Sequence, residues 1–364
     1  MTDPGGAGVQ RTGCRRVPSS HESLMKLATI ALLCTLLFSP TTLPAQQATP
    51  DPFLRWMDQI AQRHLQRREN AIAEIHTVVD AERRKREVRE TLMEILGGLP
   101  NYDGPLNPKV TGRIQNESYT IEKVMFESLP GFFVTANLYR PNQPGRYPGV
   151  LLQSGHTQEG KAEPQRLAAN LALKGFVSLA FDPVGQGERE QTYNRDLGGP
   201  SAGWSVNEHI HAGAQSILAG EGVARYFIWD AKRAVDYLVS RPEVDATRIG
   251  AAGCSGGGAL TTFIGALDLR IKAVVPACFP DSYRLLFAGP DPDSEMSWPH
   301  FLASGLDTAD CRRPQPPRSP RGSRVHEKVP RDRRFRCRRP VASVRGWALR
   351  YCIVHQDPAS LQQR

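Results

Sequence analysis

The stretch Ile249-Gly250-Ala251-Ala252-Gly253-Cys254-Ser255-Gly256-Gly257-Gly258 decides the fold of this chain. It begins as a short apolar strand and runs into a helical pattern that ends at Leu267. The G-x-S-x-G pattern centred on Ser255 is typical of a nucleophile elbow, a tight strand-to-helix turn that exposes one hydroxyl. Glycine is expected two residues before and after the serine, because side chains there would collide with neighbouring strands. The alternative is an ordinary Gly-rich turn, but the flanking strand and helix favour the elbow.

Short apolar strands alternate with helical stretches on both sides of this turn. Tyr119–Glu127 and Phe132–Tyr139 alternate in polarity around Pro130-Gly131 and predict a hairpin. Further strands are predicted at 149–153, 176–181, 249–253 and 271–278, and helices at 165–174, 223–238 and 257–267. Apolar strands separated by helices predict an α/β fold, a mostly parallel sheet with helices on both faces.

The N-terminal part of the chain carries two helical patterns and an apolar run. Asp51-Pro52 is typical of a helix start, and a second helical stretch, which includes Ile72 and Val79, ends at Gly97-Gly98. Both are expected to be packing elements. The apolar run from Leu27 to Phe38 follows Met25-Lys26 and predicts a signal peptide cleaved near residue 45; a single membrane anchor is the alternative.

Two backbone amides are candidates for an oxyanion hole around Ser255. The first is the N–H of Gly256, which opens the helix after the nucleophile. The second should come from the loop after the first parallel strand, where the amide of His156 or Thr157 could reach the oxyanion. His156 could instead be an ordinary packed loop histidine.

Polar residues after the next strand are expected to form the wall of the pocket. Asp182 and Gln186 lie where that strand ends, although Asp182 and Arg189 could instead be structural locks of the loop. His209 is also assigned to the pocket, from a long loop before the next helix. That predicted loop contains Trp204, Glu208, His209 and His211. The spacing of these residues matches no strong metal template, so neither a metal nor another cofactor is expected.

Several of these residues together resemble a known family. They are the runs Gly155-His156, Asp182 to Arg189, Ala224 to Asp230, Arg241 to Asp245 and Gly253 to Gly258. The pattern is similar to that of secreted bacterial α/β-hydrolases of the acetyl xylan esterase-like group, which are related to dienelactone hydrolases and prolyl oligopeptidases. The resemblance covers about Tyr119 to Asp310. It implies an α/β-hydrolase domain, placed at residues 106–310. The helical patterns and the apolar run divide the chain before it into a helical segment at 46–105, a signal peptide at 25–45 and an upstream extension at 1–24.

The resemblance also implies a mechanism and the order of its residues. Ser255 would attack an ester carbonyl and pass its proton to a histidine oriented by a carboxylate. In this fold both partners follow the serine, after the last strands. Downstream histidines exist only at His300, His326 and His355, and none has the expected context. His300 and Asp281 are the substitute base and acid that the sequence offers.

The chain changes character after Asp310. Residues 311–364 carry 14 Arg and one Lys against three acidic residues, so the rest of the chain has a net charge of −3 although the whole carries +9. This Arg- and Pro-rich tail is interpreted as an out-of-frame reading of a GC-rich gene, with the last strands of the sheet missing. A basic nucleic-acid arm is the alternative, but aromatic residues are scarce in it.

The expected protein is a secreted or periplasmic serine esterase acting on small-molecule or carbohydrate esters. No nucleic-acid partner and no membrane span after signal cleavage are expected, and the sequence does not determine the oligomeric state. One alternative is an inactive or non-enzymatic relative, because the triad acid and histidine are missing. A prolyl oligopeptidase-type peptidase is less favoured, because about 70 residues before the hairpin are too few for a propeller domain.

Overall fold

A computed structural model of the chain describes residues 51–279, 282–287, 293, 296 and 298–311. The predicted extension at 1–24, the signal peptide at 25–45, Asp281, His326 and His355 all lie outside the described residues. So does the predicted tail, apart from Cys311.

Two helices precede the sheet. Helix α1 spans Pro52–Ala73, and the Asp51 carboxylate accepts a hydrogen bond from the Phe53 N–H (2.8 Å), as the sequence predicts. Helix α2 spans Val78–Ile95 and begins at a capping box between Thr77 and Asp80. The predicted second helix was therefore wrong at its start, since Ile72 belongs to α1 and Val79 is exposed.

The described strands form a seven-stranded mixed sheet and a small two-stranded one. The strands are β1 Lys109–Gln115, β2 Tyr119–Leu129, β3 Phe132–Pro141, β4 Tyr147–Gln153, β5 Val177–Phe181, β6 Tyr193–Asn194, β7 Gly199–Pro200, β8 Val244–Cys254 and β9 Ile271–Ala277. The large sheet has the order β1-β2-β3-β5-β4-β8-β9. Strands β5, β4, β8 and β9 run parallel, and β1, β2 and β3 extend the sheet with antiparallel pairs.

Helices cover both faces of this sheet, which confirms the predicted α/β class. Those on the sheet are α3 Gln165–Leu173, α5 Ala224–Ser240 and α6 Gly256–Leu267; the chain also forms α4 Val206–Leu218 and the single turn α7 Tyr283–Leu286. Helix α3 packs on one face, where Ala168 and Ala172 contribute to a small core with Leu152. Helices α5 and α6 pack on the other face, where the main core also takes in Leu92 of α2. No helix in the described ranges is both long and apolar enough to cross a membrane.

The strand order places the functional loops together. The chain leaves β4 for β5 on one side and then crosses to β8 on the other side of β4. Ligands bind in open α/β sheets at such a reversal, outside the carboxyl ends of the strands. The loops after β4, β5 and β8 therefore converge on one edge of the sheet.

The N-terminal helices are tied to the far end of the described chain by buried charges. The Asp310 carboxylate, almost fully buried, lies 2.6 Å from Arg68 Nε of α1 and 3.3 Å from Arg84 Nη2 of α2. Arg84 also donates to the Gly305 carbonyl (2.7 Å). These contacts make α1 and α2 packing elements, in agreement with the sequence prediction.

Candidate active site

Ser255 occupies a strained turn between β8 and α6. Its backbone has φ 56° and ψ −120°, a left-handed conformation that is uncommon for a residue other than glycine and that clusters at functional sites. The Ser255 N–H donates to the Ala277 carbonyl of β9 (3.0 Å), and its carbonyl accepts the first helical hydrogen bond from Ala259 (3.0 Å). The residue is exposed at the carboxyl edge of the sheet, as the elbow prediction requires.

The flanking glycines are required by close contacts with the backbone of β4. A Cβ atom at Gly253 would lie 2.7 Å from the Gln153 carbonyl oxygen. One at Gly257 would lie 2.6 Å from the Ser154 oxygen and closer still to the Gln153 oxygen. The predicted steric reason, a neighbouring strand, is confirmed for Gly257 against the central β4, whereas a Cβ at Gly253 would meet the Gly257 carbonyl before it meets that of Gln153.

The loop after β4 passes directly beside the nucleophile. A Cβ atom at Gly155 would be only 3.0 Å from the Cys254 oxygen and 3.5 Å from the Ser255 Cβ. This loop is held from behind by Gln186, whose side chain is almost fully buried. Gln186 Nε2 donates to the carbonyls of Gly155 (2.6 Å) and Thr157 (2.8 Å). The sequence predicts Gln186 on the wall of the pocket, but its buried side chain holds the loop backbone instead.

The same hydrogen bonds distinguish the two predicted oxyanion donors of the loop. The Thr157 N–H donates to the Gly155 carbonyl (2.8 Å) and so is engaged within the loop. The Gly155 carbonyl faces Gln186, and the N–H of a trans peptide points opposite to its carbonyl. The His156 N–H is therefore directed away from Gln186 and is the better oriented candidate.

The His156 side chain lies over the start of helix α6. A Cβ atom at Gly256 would collide with the imidazole, coming within 2.7 Å of Cδ2 and nearer to Nε2. The His156 Nε2 atom lies 3.1 Å from Asp293 Oδ2, and the side chain is 20% exposed. Position 256 therefore has to be glycine for this ring to cover the turn that carries Ser255.

His209 lies beneath His156 on helix α4 and is also in contact with Asp293. The predicted loop at this point is wrong, because residues 206–218 form a helix whose buried face includes Glu208 and His209. The ring of His209 is 1% exposed, with Nδ1 3.0 Å from Asp293 Oδ2 and Nε2 2.8 Å from the Val184 carbonyl. His209 is thus a buried member of a polar cluster and not a residue on the wall of an open pocket.

Asp182 is a structural lock of its loop. The carboxylate is fully buried and accepts hydrogen bonds from the Lys161 backbone N–H (2.7 Å), the Thr135 hydroxyl (2.5 Å) and the Glu188 N–H (3.3 Å). The predicted position of Asp182 on the wall of the pocket is therefore wrong, and the alternative prediction, a structural lock of the loop, describes it. Arg189 has the same kind of role, since its guanidinium pairs with buried Asp230 at 2.7 Å.

The ring of the substitute base His300 has no partner among the described residues. His300 is exposed in a turn with φ 68°, and its ring makes no hydrogen bond or ion pair to any described residue. Asp281 lies outside the described residues. No orienting carboxylate is therefore found for His300 in the described ranges.

Cys254 and Cys278 lie at the ends of the adjacent strands β8 and β9, and no disulfide joins them. Burial, and to a smaller extent the hydrogen bond with the Cys278 thiol, raises the pKa of Cys254 to about 12. The two cysteines are therefore neighbours that are hydrogen-bonded rather than disulfide-bonded.

Part of the chain is similar to proteins of known family. The family model for acetyl xylan esterase matches residues 105–283. The chain carries an acetyl xylan esterase-like α/β-hydrolase domain. Its similarity to the YtaP protein of Bacillus subtilis (strain 168), named as a hydrolase, is 26% identity over 253 residues, which cover 63% of this chain and 78% of YtaP.

Two further relatives extend the comparison. An uncharacterized protein of Pseudomonas aeruginosa, PA2218, is 29% identical over 187 residues, which cover 51% of this chain and 41% of PA2218. A crystal structure from Bacteroides fragilis NCTC 9343, whose protein is assigned as an acetyl xylan esterase, superposes with a TM-score of 0.57 over 70% of each chain at 18% identity. At that identity the structural likeness concerns the fold alone, and it supports the α/β-hydrolase architecture.

Asp293 is the residue of this site that the sequence analysis missed. It lies far along the chain from both histidines that contact it and belongs to no recognisable motif. The two histidines were noticed separately, but no spacing rule connects the loop after β4 with helix α4. Only the folded chain brings the three side chains together.

Proposed function

We propose that the acetyl xylan esterase-like domain hydrolyses carboxylic esters with Ser255 as its nucleophile. The single observation that carries this proposal is the strained, exposed conformation of Ser255 at the start of α6, enforced by glycines that contact β4. The family of ester hydrolases to which the matched segment is similar supports the same reaction class.

The proposed reaction uses the backbone around the turn for charge stabilisation. Ser255 Oγ attacks the ester carbonyl, and the alkoxide of the tetrahedral intermediate accepts hydrogen bonds from the N–H groups of Gly256 and His156. One such donor is worth about 3–4 kcal/mol in the transition state. The dipole of helix α6 favours the same negative charge. A general base takes the proton from Ser255 Oγ and returns it to the alcohol that departs as the intermediate collapses; water then attacks the acyl-enzyme, releasing the carboxylic acid and returning a proton to Ser255.

The proposed substrates are acetyl esters of carbohydrates, encountered outside the cytoplasm. The substrate class comes from the resemblance to acetyl xylan esterases, and the location comes from the signal-like segment at residues 25–45. The alcohol would be identified by comparing acetylated xylan with simple acetate esters, and the acyl group by comparing p-nitrophenyl acetate with p-nitrophenyl esters of longer acids.

A second candidate is an inactive protein with an intact elbow. It is favoured by one observation, that His300 has no orienting carboxylate within the described ranges. Serine is a weak nucleophile without an adjacent base. In that case restoring the reading frame after Asp310 should create the missing histidine and acid and should restore activity.

The nucleophile can be identified by labelling with a fluorophosphonate and locating the modified serine by mass spectrometry. Ser205 is a matched control, because it also begins a helix with a positive φ (51°) but is only 6% exposed. We expect labelling of Ser255 in a frame-restored chain, unchanged in Ser205→Ala and lost in Ser255→Ala. A label that persists in Ser255→Ala would refute the assignment of the nucleophile.

A further inference from the structure

A cluster of metal-ligating side chains lies beneath the Ser255 turn. Each of His156, His209 and Asp293 offers one ligand atom, and these atoms all lie within 4.8 Å of one another. Asp293 Oδ2 is 3.1 Å from His156 Nε2 and 3.0 Å from His209 Nδ1. The three residues come from the loop after β4, from helix α4 and from the segment after α7, so the fold itself assembles the cluster.

The hydrogen bond of His209 to the backbone determines which of its ring nitrogens carries the proton. The other nitrogen, which carries the lone pair, faces the cluster. The Val184 carbonyl can only accept, so the proton at this contact (2.8 Å) is on His209 Nε2. A neutral imidazole then has its lone pair on Nδ1, which faces the Asp293 carboxylate. A lone pair and a carboxylate at 3.0 Å need a shared cation between them, either a proton or a metal ion.

The donor set and its surroundings fit a zinc ion in that place. Two imidazoles and a carboxylate are a common ligand set for Zn²⁺, and metal-ligating histidines usually donate their other N–H to a carbonyl or a carboxylate. Tetrahedral bonds of about 2.1 Å would put ligand atoms about 3.4 Å apart. The two measured separations are shorter by only a few tenths of an ångström, which a small rotation of the side chains would supply.

Burial and access also suit an ion at this position. The side chains of His209 and Asp293 are 1% and 4% exposed, so an ion bound to them would be held away from bulk water. The His156 side chain is 20% exposed and lies on the surface loop, which provides a path for entry. Three protein ligands leave one tetrahedral position for a water molecule.

We propose that His156, His209 and Asp293 form a binding site for a divalent transition metal, with Zn²⁺ as the preferred ion. The ion takes the place of the proton between His209 and Asp293. This assignment is independent of the role of Ser255, because none of its ligands is the serine.

The test is zinc binding by the full chain after treatment with a chelator and dialysis. Titration calorimetry should give one Zn²⁺ per chain, with proton release that differs between buffers of different ionisation enthalpy. Co²⁺ should give the intense visible bands of a tetrahedral site. Affinity should fall by more than about 100-fold in His209→Gln and Asp293→Asn. His211→Gln is the matched control, because His211 is exposed on the same helix and bonds only Gln215.

A second measurement does not depend on the folding of the variants. Zn²⁺ should raise the unfolding temperature of the unmodified chain, because an ion that binds only the folded state stabilises it. Failure of the unmodified chain to bind Zn²⁺ would overturn the proposal and leave a hydrogen-bonded imidazolium at His209. Equal zinc affinity in His209→Gln and in the unmodified chain would overturn it as well.

Discussion

Gly257 provides a sharp test of why the nucleophile turn requires glycine. In Gly257→Ala the added Cβ would lie 2.6 Å from the Ser154 oxygen and nearer to the Gln153 oxygen, whereas ordinary contact begins near 3.4 Å. The obstructing atoms are backbone atoms of the central strand β4, so β4 and the start of α6 must separate by about 1 Å. Such overpacking costs about 1–3 kcal/mol, and we expect the upper end because backbone cannot rotate aside.

The effect should be visible in thermal unfolding. A loss of about 3 kcal/mol corresponds to a fall in Tm of roughly 6–12 °C for a domain of this size. Fluorophosphonate labelling of Ser255 should slow as well, because the turn that aims its hydroxyl is displaced.

Gly222→Ala is the matched control for this variant. A Cβ at Gly222 meets no atom within 4 Å, and its φ is not in the left-handed region. This variant should keep or slightly raise the stability, by up to about 1 kcal/mol, because alanine restricts the unfolded chain. Equal unfolding temperatures for Gly257→Ala and Gly222→Ala would refute the steric reasoning. The intrinsic helix propensity of alanine would then be the dominant effect.

Three further predictions concern other contacts. Gln186→Leu removes the donor that holds the loop after β4, so labelling of Ser255 should slow by about 100-fold while the circular dichroism spectrum is unchanged; an unchanged rate would contradict this. Asp310→Asn should lower the free energy of unfolding in urea by about 3 kcal/mol, because it leaves Arg68 half-buried without its carboxylate; a loss below about 1 kcal/mol, typical of exposed pairs, would contradict it. Iodoacetamide at pH 8 should modify Cys278 before Cys254, because a pKa of about 12 leaves about one Cys254 in 10,000 as thiolate; equal rates would refute this.

The sequence predicted the parallel core and the elbow because their signals are local. Strands β4, β5, β8 and β9 are short apolar runs between helices, and each lies within three residues of its predicted limits apart from the start of β8. The G-x-S-x-G turn combines sterics and chemistry within five residues. Both were therefore readable without any knowledge of distant contacts.

Helix α4 was misread because its buried face carries polar side chains and its exposed face carries apolar ones. Its buried residues include Glu208 and His209, whereas Ile210 and Ile217 are more than half exposed. The buried polar side chains are satisfied by the neighbouring loop; for example, Glu208 Oε1 accepts a hydrogen bond from the Thr192 backbone N–H (2.9 Å). A rule that puts apolar residues inside cannot recognise such a helix.

Strand β1 and Asp293 were missed for different reasons. Strand β1 is an exposed edge strand without clear alternation, and its Val110 and Ile114 are 40% and 47% exposed. Asp293 acts through contacts with His156 and His209, which are far away in sequence. The candidate site was thus predictable where one turn defines it and not where the tertiary fold assembles it.

The most direct test of the proposed function is hydrolysis of p-nitrophenyl acetate by this chain beside a version with the reading frame restored after Asp310. The restored chain should be active, and Ser255→Ala should reduce its rate to that of the reaction without enzyme. The chain as written should show at most weak turnover, because His300, the described histidine that follows Ser255 in the chain, has no orienting carboxylate among the described residues. Undiminished hydrolysis by Ser255→Ala in the restored chain would contradict the assignment of Ser255 as the nucleophile.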